Sequence, residues 1–412
     1  MKIVFVAFIM TVSGCATYQS RVTPARDLLA AGQCDASLKL FEELSVKVDG
    51  DQLVHLMDYG SALQICGNYK KSNEILAQAE NLSEQVDYQS ASRVVGATLL
   101  NEEMIQYKGD TFEKLFLNAM SALNYIQIGE MDNALVEVRK MNQKFNKLQA
   151  EDKKNFELNP FAKYLSGLIW EADKKYDDAC IDFRDAYLLD ISYRKVALDV
   201  LRSCWKAKRT TEFDEIVKKA SASADEIKIA KQNNKSEVVI IFMQGWGPRK
   251  QPRPDNHYFP HLVSVSSATQ FLRVDILDNT KKSVLETYQS EQIYSVEKAA
   301  IATLEADYGS LVARRVGARV AKEVMADQIR QKDKLLGNIA WLAMVASERA
   351  DLRQWSVFPK TIQVIRIPVN PGSQVIRFTG LNYNLSESEK MADLEINIRL
   401  GEKKFQLVRS LR

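Results

Sequence analysis

The residues able to do chemistry are few in this chain, and they are poorly spaced for it. There are only three histidines, His55, His257 and His261. His257 and His261, with Asp255 close by, have the donor types of a metal site. Pro260 forbids the helix that would align positions i and i+4, so this stretch reads as a surface loop and no metal is expected. Gly245-Trp246-Gly247-Pro248-Arg249-Lys250 has the glycines and cations of a phosphate cradle. It lacks the Gly-x-Gly-x-x-Gly and Gly-x-x-x-x-Gly-Lys-Ser/Thr spacings, and Pro248 removes an N–H that a cradle uses. No Gly-x-Ser-x-Gly elbow or His-Glu-x-x-His occurs. The chain therefore reads as a non-enzyme without a cofactor.

The five cysteines say more. Met1-Lys2 is a short positive start, and Ile3 to Val12 is an apolar stretch of ten residues, too short for the roughly 20 that a spanning helix needs. This is the pattern of an export signal. Val12-Ser13-Gly14-Cys15 resembles the lipobox of bacterial lipoproteins, in which the Cys thiol takes a diacylglycerol before the signal peptide is cut away. The resemblance implies that residues 1–14 are removed, that Cys15 is the lipidated residue and that 15–22 is a tether. Ala16 stands where Asp would retain a lipoprotein in the inner membrane, so the resemblance implies the periplasmic face of a Gram-negative outer membrane. Several acyl chains exceed the two signals that stable anchoring takes.

The rest of the chain must form the elements that such an anchor carries. Its 412 residues suggest two or three domains, and 46% hydrophobic with 26% charged residues excludes wholesale disorder. A formal net charge of +3 is too small to mark nucleic acid as the main partner. Of nine prolines, only Pro24 and Pro160 precede residue 236, so the first half can be long helices while the second cannot be helical throughout.

That half repeats. Ala122, Tyr125, Gly129, Ala134 and Val138 have the offsets of a tetratricopeptide (TPR) unit, where small residues let two antiparallel helices cross and an aromatic fills the neighbouring hollow. Gly167, Trp170, Ala179, Phe183 and Ala186 repeat those offsets, as do Gly60, Leu63, Gly67, Ser72, Leu76 and Ala79. Gly32, Ser37 and Phe41 precede the last set by 35 residues, near the TPR period of about 34. A further pair is expected around Cys204, Trp205 and Phe213, and the polar stretch from Gln149 to Asn159 interrupts the series. The helical repeat domain is placed at 23–225 and a linker at 226–236. With Cys15 acylated, four cysteines remain and three connectivities are open. Cys34 with Cys66 and Cys180 with Cys204 are the close pairs, and stacked neighbouring repeats would bring each pair together as a disulfide.

The second half, 237–412, changes period. Val238 to Met243 is a continuous apolar run fit for a buried strand, while Leu272, Val274 and Ile276 alternate with Arg273 and Asp275. Ile362 and Val364, Ile396 to Leu400 and Phe405 to Val408 add strands. A helical insertion is expected at about 296–352. Within it, Leu335 to Ala346 is too short to span a bilayer and is expected as a core helix, with a membrane- or partner-docking helix as the alternative. The fold class expected is multidomain: an N-terminal all-α TPR-like solenoid, then a β-sandwich-like or α+β domain with a helical insertion.

Several blocks carry a resemblance over most of the mature chain. They include Ala122-Leu123-Asn124-Tyr125, Ala134-Leu135-Val136-Glu137-Val138-Arg139, Asn159-Pro160-Phe161-Ala162, Gly247-Pro248-Arg249-Lys250 and Ala350-Asp351-Leu352-Arg353-Gln354-Trp355. The chain resembles a family of uncharacterised TPR-containing bacterial lipoproteins, which implies no known activity. The expectation is a non-catalytic TPR adaptor or scaffold. It would hold a protein or peptide in the TPR groove, with a cell-envelope polymer as a further partner, in envelope assembly or maintenance. The alternative is an enzyme of peptidoglycan or polysaccharide with no legible motif. Gly245, Trp246, Gly247, Pro248, Arg249 and Lys250 are the candidate partner-binding loop, because Trp and Arg are enriched in binding hot spots. The other reading of that loop is a turn whose Trp246 packs on the core.

Overall fold

The computed structural model describes residues 17–92, 106–151, 157–190, 193–232, 236–278, 283–346 and 348–412. The stretch read as an export signal, with Cys15 and Ala16, lies outside them. Helices α1 (Tyr18–Ala30), α2 (Cys34–Ser45), α3 (Gln52–Ile65), α4 (Tyr69–Ser92), α5 (Thr111–Gln127) and α6 (Met131–Ala150) pack one on the next. The series continues with α7 (Pro160–Ala172), α8 (Tyr176–Leu189), α9 (Arg194–Lys206), α10 (Thr210–Lys219) and the short α11 (Ala224–Ala230).

The turns show why this is a repeat. At Gly67 the backbone is left-handed (φ 78°), its N–H donates to the Gln64 carbonyl and the next N–H, of Asn68, reaches Leu63. Gly129 repeats this with Ile126 and Tyr125, as Gly32 does with Leu29 and Leu28. Glycine fits there because a Cβ is penalised at positive φ. Small residues then set the crossings: Ser37 Oγ donates to the Ala25 carbonyl at 2.7 Å and Ser72 Oγ to that of Gly60 at 2.6 Å, each across a twelve-residue step.

α1 begins at Tyr18, inside the stretch read as a tether. The physical reason is burial: Tyr18 and Val22 lie in the apolar core, so the chain is held almost from its first described residue. Similarly, α11 and the buried Ala230 occupy part of the stretch read as a linker.

The second half holds two sheets. The first has the order β11 (Lys403–Ser410), β1 (Ser236–Gln244), β7 (Thr361–Val369), β6 (Glu291–Ser295), with β11 parallel to β1 and the other pairs antiparallel. The second has the order β10 (Leu394–Ile398), β8 (Gly372–Leu381), β4 (Phe271–Leu277), β5 (Val284–Gln289), with β9 (Glu387–Lys390) also on β8. A small hairpin, β2 (Arg249–Pro252) with β3 (Pro260–Val263), stands apart.

β1 shows how the layers join. Val238, Ile240 and Phe242 point into the core between the two sheets, whereas Val239, Ile241 and Met243 join the core shared with the helices. A strand covered on both faces reads as a continuous apolar run. Helices α5, α7 and α9 reach this sheet, and every residue of α3 from Leu53 to Gln64 and of α7 from Pro160 to Glu171 is buried.

Between β6 and β7, α12 (Val296–Arg330) and α13 (Lys334–Ala346) form a long hairpin. The expected core helix is not one. Leu335, Leu336, Ile339 and Leu342 are 52–70% exposed, because α13 packs chiefly on α12, where Gly337 lies against the Arg330 backbone.

Candidate functional site

The inner surface of the solenoid is the natural place for a partner, and the chain fills it with its own residues. Segment 352–358, which leads from the hairpin to β7, runs across α1, α3 and α5. Gln19 Nε2 donates to the Leu352 carbonyl at 2.9 Å, and the Trp355 indole N–H donates to Ser61 Oγ at 2.9 Å. The Trp355 backbone N–H donates to Glu113 Oε1 at 3.1 Å. The Phe358 ring lies edge-on to Phe116, 4.7 Å between centroids, and to Trp355 at 4.2 Å. Arg353, ion-paired with Asp351 at 2.7 Å, also reaches Asp51 at 3.2 Å.

Burial pushes the Asp58 carboxyl up to about 6, even though Tyr18 and Ser356 donate to it. It likewise pushes Glu113 up to about 7, with Asp110 adding to the effect. The groove expected to take a protein or peptide is thus occupied within the molecule. The reason is compositional: inner helices apolar on all sides need cover, and the sheet and segment 352–358 supply it.

The candidate loop from Gly245 to Lys250 belongs to the same interior. Trp246 is 8% exposed, its indole N–H donates to the Leu411 carbonyl at 3.0 Å, and Arg249 and Arg409 flank the ring. Gly247 and Pro248 are buried, Gly245 adopts φ 64° at the turn, and Gly247 N–H donates to the Phe358 carbonyl at 2.8 Å. Arg249 donates to the Ser356 carbonyl at 2.7 Å, and the Lys250 N–H to the Gln354 side chain. The exposed-anchor reading is therefore corrected: the loop clamps segment 352–358, and its indole is core.

The disulfides Cys34–Cys66 and Cys180–Cys204 are present, with Cα separations of 5.8 Å and 4.7 Å. Each joins helices of neighbouring repeats. His257 is exposed and His261 Nδ1 contacts the Gln251 carbonyl at 3.1 Å across the β2–β3 hairpin. Among the described residues no group of three or more His, Cys, Asp and Glu could hold a metal ion.

One of several open clefts, of about 710 Å³, lies where the ends of α7 and α9 meet the starts of β1 and β11. Its floor is a charge network. Arg366 on β7 reaches Glu171 at 2.9 Å, Asp199 at 2.8 Å and Glu237 at 2.7 Å, while Lys403 reaches Glu171 at 3.1 Å and also pairs with Glu237. Burial alone would raise both glutamates, but the Arg366 guanidinium and the Lys403 ammonium hold Glu171 and Glu237 below the usual carboxylate range. Carboxylates committed in this way are poor proton donors at neutral pH.

The rim is different. Lys174, Lys206, Lys208 and Lys231 line the cleft with no carboxylate partner among the described residues. Burial lowers Lys206, whose ammonium lies 4.7 Å from the Tyr176 ring centroid. Trp205, 42% exposed, stands beside them, with Lys231 over its ring at 4.3 Å and Phe213 at 5.7 Å. The neighbouring Cys204 is tied by its disulfide to Cys180 on α8, which fixes the start of this aromatic rim.

All four of these lysines were missed by sequence reasoning, although for two of them a signal existed. Lys174 and Lys208 occupy the turn position that Gly32, Gly67 and Gly129 hold in the other pairs. They adopt the same left-handed backbone (φ 63° and 59°) and make the same hydrogen bonds, Lys174 to Glu171 and Lys208 to Trp205. A non-glycine residue there costs about 1–2 kcal/mol. Ser221 takes the same turn between α10 and α11 (φ 48°) away from the cleft, so it is the position of Lys174 and Lys208 on the cleft rim, and not their backbone, that sets them apart.

No protein-family model matches the chain, and neither does any curated protein. About half of it is similar in shape to solved structures of MamA. MamA of AMB-1 is 19% identical over 50% of this chain and 95% of its own, with a TM-score of 0.30. MamA from Desulfovibrio magneticus RS-1, residue 41 to the end, is 14% identical over 51% and 94%, with a TM-score of 0.31. The helical-repeat assignment rests on the turns and crossings described above. With those turns in register, Trp205, Lys206 and Lys208 all sit at the α9–α10 turn and Lys174 at the α7–α8 turn, which gathers the unpaired cations at the ends of α7 and α9.

Proposed function

We propose that this protein is a lipid-anchored, non-catalytic adaptor at the periplasmic face of the outer membrane. It holds an acidic segment of a protein partner in the cleft between α7–α10 and the first sheet, in the service of envelope assembly or maintenance. The observation that carries the reading is the imbalance at the cleft. Glu171 and Glu237 are paired with Arg366 and Lys403, and Glu402 accepts the Arg399 N–H, whereas among the described residues Lys174, Lys206, Lys208 and Lys231 have no carboxylate within ion-pair distance beside an exposed Trp205. Cations around an aromatic ring suit a peptide bearing Asp or Glu next to an aromatic residue. The anchor part of the proposal rests on the lipobox at Val12 to Cys15.

The test is binding of fluorescent peptides to the native protein by polarisation. Peptides rich in Asp and Glu with one aromatic residue should bind, and more weakly as salt is raised. Lys206→Glu should weaken binding at least tenfold, a change of about 1.4 kcal/mol. Equal binding of basic and acidic peptides, or indifference to Lys206→Glu, would remove the cleft from the proposal.

A further inference from the structure

The α12–α13 hairpin carries a surface that none of the described residues covers. Among the described residues, 19 large hydrophobic side chains are exposed, and eight of them lie between residues 316 and 342. Val316, Val320 and Val324 recur every four residues on α12, with Met325 beside them. Leu335, Leu336, Ile339 and Leu342 share one face of α13.

The charges left uncommitted around this apolar surface are cationic. Among the described residues, Arg314, Arg319, Lys332 and Lys334 are exposed and have no carboxylate partner. The acids of the same stretch are engaged. Glu323 and Asp327 pair with Arg330 at 2.8 Å and 3.3 Å, and Asp333 accepts the N–H groups of Leu335 and Leu336. Exposed leucines beside lysines that can extend toward headgroups are the pattern of an interfacial helix. Among the described residues no helix is long and apolar enough to cross a membrane, so the face can lie on a bilayer but not span it.

We infer that the hairpin docks on an anionic bilayer, with Leu335, Leu336, Ile339 and Leu342 in the headgroup–acyl boundary and Lys332 and Lys334 on the lipid phosphates. The position of the chain start agrees. Only Ala16 separates Cys15 from Thr17, and Gln19 is hydrogen-bonded to Leu352, six residues past the end of α13. A lipid on Cys15 would therefore bring the root of the hairpin to the membrane. This last agreement rests on the anchor reading, whereas the apolar face and its cations do not.

The test uses the full-length protein as isolated from cells. Leu336→Cys supplies a thiol for an environment-sensitive fluorophore, with Leu285→Cys, exposed on β5, as the control. The probes are vesicles of phosphatidylethanolamine with phosphatidylglycerol, vesicles of phosphatidylcholine, and the same lipids with brominated acyl chains. The label at 336 should shift to shorter wavelength and be quenched by brominated chains on the anionic vesicles, less on the neutral ones, and the label at 285 on neither. Lys332→Glu with Lys334→Glu should remove the preference for anionic lipid.

If the protein floats with the vesicles while the label at 336 stays in water, the inference is overturned and the anchor stands. If unacylated protein floats and the label is quenched, the inference stands and the anchor reading falls. Protein that does not float at all overturns both. A 336 label already shielded without vesicles, with 336–336 disulfide dimers forming, assigns the face to a second copy and overturns the inference.

Discussion

Asp58 on α3 accepts the backbone N–H of Ser356 at 2.7 Å, and the same oxygen accepts that of Val357 at 3.1 Å, joining positions 298 and 299 residues apart. The Ser356 hydroxyl donates to the other carboxylate oxygen at 2.9 Å. One carboxylate therefore holds the segment that fills the solenoid's inner surface, and the helical and sheet layers stand or fall together at this point. Asp58→Ala leaves these buried donors without an acceptor and should cost about 3 kcal/mol or more, read as a fall in the denaturant midpoint.

The same carboxylate gives a pH signature. Its value is raised by burial from an ordinary 3.8 to about 6, so the folded state holds the proton longer than the unfolded chain does. Its contribution to stability is full below pH 4 and is lost as pH rises through about 6. Asp58→Asn removes this slope while keeping Glu113 and the buried His55, which titrate in both proteins. Melting temperatures from pH 4.5 to 7.5 should show the wild type losing ground to Asp58→Asn as pH rises. A constant difference across that range would refute the assignment.

Removing either bridge, by Cys34→Ser with Cys66→Ser or by Cys180→Ser with Cys204→Ser, should lower stability by about 3 kcal/mol in the chain-entropy account. The native protein, exported and acylated as proposed, should not label with thiol reagents. The second pair carries a further consequence, because Cys204 precedes Trp205. Its loss should weaken acidic-peptide binding beyond the loss of folded protein, and loss of the first pair should not.

Trp246→Ala should cost about 3–5 kcal/mol of stability, as expected for a buried ring, with peptide binding by the remaining folded fraction unchanged. This outcome separates the core role from the hot-spot role that the composition of the loop suggested. Composition could not settle it. Gly-Trp-Gly-Pro-Arg-Lys serves equally as an exposed loop or an interior clamp, and the partners that decide, Leu411, Arg409 and Gln354, are remote in sequence.

Other features were more legible. The run from Val238 to Met243 reads as a fully buried strand because both its faces are covered, and the spacing of Gly60, Gly67, Ser72 and Leu76 marks two crossing helices because small residues are needed at the contact. The apolar run from Leu335 to Ala346 shows the limit of such reading. Hydrophobicity says that a face wants cover but not where the cover lies, and here the core is elsewhere. The filling of the groove was illegible for a similar reason: Trp355 and Phe358 meet Ser61 and Phe116 only after the whole chain has folded.

The turn lysines offer a test in which stability and binding move in opposite directions. Lys174→Gly and Lys208→Gly relieve a left-handed backbone that glycine adopts freely, and each should stabilise the fold by up to about 1 kcal/mol. Each also removes a rim cation and should weaken acidic-peptide binding. Stabilisation without loss of binding would mean that the two lysines are incidental to the cleft.

The central claim is that the partner enters the cleft and not the filled groove or the outer helices. The most direct measurement is site-specific photo-crosslinking in living cells, with benzoylphenylalanine replacing Trp205 at the cleft or Val136 on the exposed face of α6. The account predicts a discrete adduct from position 205, lost when Lys206→Glu is added, and none from position 136. An adduct from position 136 with none from 205, or one at 205 that survives Lys206→Glu, would contradict it.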